Sequence, residues 1–127
     1  MFKVANAYSN ISAETSIKDS SPLELILLVF DKIFDHLIRG KKELILGETG
    51  AEPLTKAVDL LNVGLIASLN KEHGGQIAEN LEVVYLWAIN KIIEARLNKK
   101  PDRIDDVVKV LNPIYDGWRD LQIKGIK

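Results

Sequence analysis

The chain has 127 residues, a formal net charge of -1, 46% hydrophobic residues and no cysteine. That length suits one domain burying roughly two-thirds of its unfolded surface, and the missing cysteine excludes a disulfide framework, a thiolate nucleophile and a cysteine zinc site. Acids and bases are interspersed, without the basic face of a nucleic-acid binder, and apolar runs such as Leu25 to Phe30 fall far short of the ~20 residues that span a bilayer.

Residues 1–20 are polar and read as an N-terminal arm, with a short weak helix around Val4 to Ser12. The arm lacks the apolar stretch of a signal peptide, so the expected place of action is the cytoplasm. At Ser21 the pattern changes. Ser21-Pro22-Leu23-Glu24 has the form of a capping box, with Ser21 at the N-cap, Pro22 in the first turn and Glu24 reaching back. Leu23, Ile26, Phe30, Ile33, Leu37 and Leu44 follow at helical spacing, which predicts a helix to about Leu46 with Gly47 just past its end. Gly40 lies inside at a cost of ~1 kcal/mol.

Thr49-Gly50-Ala51-Glu52 repeats the capping-box spacing, and Leu54, Val58, Leu61, Leu65 and Leu69 predict a second long helix. It stops at Asn70 to Gly75, where two adjacent glycines oppose continuation. A third helix is predicted from about Gln76 to Asn98 on the stripe Ile77, Leu81, Val84, Ala88, Ile92 and Ala95. Lys99-Lys100-Pro101-Asp102 ends it and opens the last helix. There Ile104, Val107, Val108, Leu111, Ile114, Tyr115, Trp118 and Leu121 alternate three and four. Pro113 lies inside that run and predicts a kink or break, because an interior proline costs ~3 kcal/mol and removes one backbone bond. Nothing reads as a strand. The expected fold is all-α: an antiparallel up-down four-helix bundle over 21–123 with the arm at 1–20, in a single domain.

The sequence offers little for catalysis. Its two histidines, His36 and His73, lack the Glu-x-x-His spacing of a di-iron bundle. Asp35 is adjacent to His36 and so does not face it on a helix. Gly74-Gly75 is not followed by the lysine of a phosphate loop. No catalytic residue, metal or cofactor is expected, and the chain does not read as an enzyme.

The informative feature is apolar surface beyond what a bundle core needs. About three positions in seven of a bundle helix face its core. The first helix has Leu25, Leu28 and Val29 in addition to its main stripe, the second has Leu60, Val63 and Ile66, and the third has Val83, Leu86, Trp87 and Ile89. Either the arm covers this surplus, or it is a binding face of the kind that accepts an amphipathic peptide.

Leu69-Asn70-Lys71-Glu72-His73-Gly74-Gly75-Gln76-Ile77-Ala78-Glu79-Asn80-Leu81 resembles the signature of the FliS family of flagellin export chaperones. Ser20-Ser21-Pro22-Leu23-Glu24-Leu25-Ile26, the Phe30-Asp31 pair, Trp118 in the last helix and Tyr8 in the arm fall where that family carries similar residues. Lys32, Asn70, the apolar run Tyr85-Leu86-Trp87-Ala88-Ile89 and Pro113 depart from its pattern.

The resemblance implies a cytoplasmic chaperone that binds the disordered C-terminal region of flagellin, prevents premature polymerisation and aids delivery to the membrane export gate. Contacts with an anti-sigma factor, and an arm that can occupy the client groove, are implied with it. The expected client-binding residues are Leu25, Leu28, Val29, Ile66, Leu69 and Trp87, with Tyr8 as an arm plug. Phe30, Leu61, Val84, Leu111 and Trp118 are expected to hold the core. Three alternatives stay open: an adaptor for another flagellar or secretion client, a small helical enzyme or metal carrier, and a homodimer whose seam is the surplus face.

Overall fold

The structure, a computed structural model, describes Ala7 and residues 21–124. Among these residues there are helices and no strands. Helix α1 spans Pro22–Ile45, α2 spans Ala51–Asp59 and runs on as a π-helical segment over Leu60–Ile66, α3 spans Lys71–Asn98 and α4 spans Asp102–Ile123. α1 packs against α2 and α4, and α3 packs against α4 and against α2 with its π segment. The helices thus close a ring of four neighbours, and their short connections make neighbours antiparallel.

The first start signal works as its chemistry requires. The Ser21 hydroxyl accepts the Glu24 amide at 3.1 Å, and Pro22 occupies the first turn. At the other end Gly47 takes the left-handed conformation, with φ 84°, and donates to the Leu44 carbonyl at 3.1 Å. The second start differs from the expected capping box. Gly50, at φ 64°, is the N-cap of α2, and the Thr49 hydroxyl accepts the Ala51 amide at 3.2 Å. Glu52 is therefore one position too early to complete the box.

After Asp59 the second helix widens. The Ala67 amide bonds the carbonyl of Asn62, five residues back, at 2.9 Å. This accommodates an extra residue per turn, and no apolar spacing in the sequence announces it. α3 begins with a single turn capped by the Asn70 side chain, which accepts the His73 amide at 3.1 Å. Gly75, at φ 53° and ψ -129°, then leaves helical geometry, and the long run of α3 follows. Lys71 and Glu82 pair at 2.8 Å across this break and brace it.

α4 continues through Pro113 as one helix, without a break. Pro113 and Lys109 are both exposed, so water can satisfy the Lys109 carbonyl that loses its partner.

The core holds Phe30, Leu61, Leu111 and Trp118, each at most 1% exposed. Val84 does not join them: it is half-buried, and its neighbour Tyr85 is fully buried. Tyr85 meets Phe30 edge to face with ring centroids 6.4 Å apart, and Tyr115 of α4 meets Phe30 at 6.0 Å and Phe34 at 5.6 Å. One aromatic cluster therefore ties α1 to α3 and α4. On the other side of α1, Gly40 lets α2 come close. A Cβ placed there would lie 2.6 Å from Leu54 Cγ, so the glycine is a packing requirement.

Candidate functional site

The surplus apolar residues fall into two regions. α1 and the π segment approach closely at one end of the bundle, where a Cβ on Gly64 would lie 3.1 Å from Val29 Cγ1. This places the Leu25–Val29 stretch of α1 beside the Gly64–Leu69 stretch. Leu28 is 55% exposed, and Val29 and Ile66 are half-buried, whereas Leu25 and Leu69 are buried at 7% each. The same end holds Ala7, which is fully buried and whose carbonyl accepts the Asn70 amide. Tyr8 lies outside the described residues.

Trp87 is not part of that cluster. It is half-buried on α3, about 16 Å beyond Gln76 at 1.5 Å rise per residue. The helical register turns it about 100° from its neighbour Leu86.

The second region is a groove between α2 and α3, lined by Leu54, Thr55, Val58, Ile92, Ile93 and Arg96, with an open volume of about 190 Å³. None of these residues was among those expected to bind a client. Beside the groove, α3 exposes Val83 (66%), Leu86 (47%), Ile93 (42%) and Leu97 (73%). These positions share one face of the helix at spacings of three, seven and four, with Asn90 interrupting the run. The sequence contains this signal, but without the neighbouring helix the inner and outer apolar faces of α3 cannot be told apart.

Several charged side chains on α2, α3 and α4 form ion pairs. Lys56 meets Glu52 at 3.2 Å, Lys91 meets Glu94 at 3.5 Å, and Arg103 meets Glu94 at 3.2 Å and Asp106 at 3.8 Å. Such surface pairs add little stability. On α1 the Arg39 guanidinium donates to His36 Nδ1 at 2.6 Å. Partial burial, then the nearby Arg39 cation, lowers the His36 pKa below its ordinary 6.5. Burial, then a hydrogen bond to Asp31, raises the Tyr115 phenol. Among the described residues no three His, Asp or Glu side chains gather as a metal site, and no helix is long and apolar enough to cross a membrane. The arrangement offers grooves and apolar stripes, chemistry suited to holding another chain.

Comparison with known proteins agrees with that geometry. The family model described as "Flagellar protein FliS" matches residues 4–125. The flagellar secretion chaperone FliS of Salmonella typhimurium (strain LT2) is 33% identical over 120 residues, covering 93% of this chain and 89% of that protein. Its namesake in Vibrio cholerae is 30% identical over 114 residues, 88% of this chain and 83% of the relative. The one in Escherichia coli (strain K12) is 24% identical over 122 residues, 93% of this chain and 88% of the relative. On a match spanning all four helices, the chain belongs to the FliS family of flagellar proteins.

Proposed function

We propose that the protein is a cytoplasmic export chaperone that binds the C-terminal region of flagellin, keeps it from polymerising early and presents it for export. The observation that carries this reading is the open apolar groove between α2 and α3, continued by the exposed stripe Val83, Leu86, Ile93 and Leu97. A segment that becomes an amphipathic helix only on packing has an apolar face to hide, and a groove between two helices buries such a face. Ordering the client costs conformational entropy, which lowers affinity per area and favours later release. The end of the bundle that gathers Leu28, Val29 and Ile66 supplies a second apolar surface for the same client. Names of relatives that speak of flagellar secretion favour a flagellar client over an unrelated one.

The test is calorimetry of the full chain with flagellin's C-terminal region. Binding is expected, and Ile93→Glu should weaken it at least tenfold while helical circular dichroism stays unchanged. Absence of binding by the unmodified chain, with a different flagellar subunit recovered on co-expression, would overturn the choice of client.

A further inference from the structure

We infer that Arg96 is the specificity-determining residue of the α2–α3 groove, reading a carboxylate on the amphipathic client helix that lies there. The inference rests on the client-binding reading above and adds a chemical requirement to it.

Arg96 stands in the last turn of α3 and lines the groove with Leu54, Val58, Ile92 and Ile93. It follows Ile92 by four positions and Ile93 by three, so its side chain rises from the same face one turn beyond the apolar floor. Lys56 is engaged by Glu52, Lys91 by Glu94, and Arg103 by Glu94 and Asp106, while Lys99 and Lys100, just past Arg96, have no acidic partner among the described residues and do not line the groove. Arg96 has no acidic partner among the described residues. The groove is therefore apolar along its floor and carries one uncommitted guanidinium at its edge.

That combination selects its occupant. A guanidinium takes a carboxylate through two parallel N–H bonds. Covering the groove with a helix removes water from around Arg96, which strengthens an attraction to a carboxylate laid there. A helix presenting an apolar or basic residue at that point would leave the guanidinium dehydrated and unpaired, an unfavourable outcome that excludes the wrong segment. The occupant is thus an amphipathic helix bearing Asp or Glu one turn from its apolar anchors. As a cation in the last turn, Arg96 also suits the helix dipole, a role that needs no partner and leaves client binding insensitive to its charge.

The experiment uses the full chain, with flagellin's C-terminal region as probe, by calorimetry at low and physiological salt. Arg96→Gln is expected to weaken binding about fivefold at low salt, the upper range for an exposed ion pair, and to flatten the salt dependence. Arg96→Glu should weaken it further, and one Asp or Glu to Lys change in the probe should restore binding to that variant. Because Arg96 is exposed, circular dichroism of both variants should match the unmodified chain. Equal affinity and equal salt slope for Arg96→Gln would overturn the proposal while leaving the client-binding reading intact. If the unmodified chain does not bind the probe, that reading fails first and this one with it. A dimer in light scattering that Arg96→Glu converts to monomer would show a second copy in the groove and overturn the carboxylate-bearing client.

Discussion

Ala7 occupies the space that a side chain on residue 74 would need. A Cβ on Gly74 would lie 2.7 Å from Ala7 Cα and 2.8 Å from Ala7 Cβ, while the Ala7 carbonyl accepts the amide of Asn70, four residues before that glycine. The turn between the second and third helices is therefore a seat for this residue. Gly74→Ala should evict Ala7 and leave the helices in place. Hydrogen exchange at the Asn70 amide is expected to speed up about fivefold or more, the loss of one net hydrogen bond. Unchanged protection at Asn70 would sink the idea.

Gly40 and Leu54 form a similar pair within the core. A methyl group at position 40 must displace the Leu54 side chain, which is 1% exposed and lies against Gly40. Gly40→Ala is expected to destabilise the bundle by about 1–3 kcal/mol in urea titrations, although alanine is the better helix former. Adding Leu54→Ala removes the clash, so the double change should cost less than the two single changes added together.

The lowered pKa of His36 gives stability a pH dependence of known sign. Above 6.5 the imidazole is neutral in both states. As pH falls below that value, the unfolded chain takes up its proton before the folded chain does, so stability declines until the lowered folded pKa is passed. Urea midpoints should therefore drop between pH 7.5 and pH 5.5. The drop should be smaller for His36→Asn, which has no imidazole to titrate, and an equal drop in both would remove His36 as the cause.

Much of the fold was legible because local chemistry and packing agree. Ser21, Pro22 and Glu24 open α1 as their types dictate, and Gly47 closes it. The α1 stripe from Leu23 to Leu44 is buried as predicted, and the α4 stripe buries Ile104, Val107, Leu111, Trp118 and Leu121 while Val108, Ile114 and Tyr115 are half-buried against it. The misses have physical reasons. Tyr85 takes the core place of Val84, its ring meeting Phe30, and a three-or-four spacing fits either of two adjacent residues equally well. The π turns after Asp59 lie where Gly64 comes close to Val29 of α1, a contact that a single-helix pattern does not contain. Apolar excess in a sequence does not separate buried Leu25 and Leu69 from exposed Leu28. The α2–α3 groove is not legible in the sequence, because Leu54, Val58 and Ile92 count equally well as core stripe.

Leu25 and Leu28 lie three residues apart on α1 and should respond in opposite ways. Leu25 is 7% exposed, so Leu25→Glu buries a charge without a partner and is expected to cost several kcal/mol, seen as a large loss of the urea midpoint. Leu28 is 55% exposed, and Leu28→Glu should shift stability by no more than about 0.5 kcal/mol. If the α1 end of the bundle holds part of the client, Leu28→Glu should nonetheless weaken binding of flagellin's C-terminal region several-fold in calorimetry. Set beside Ile93→Glu, the result divides the surface. Loss in both variants means that one client spans the α1 end and the α2–α3 groove. Loss only in Ile93→Glu confines the client to the groove and leaves Leu28 as ordinary exposed surface.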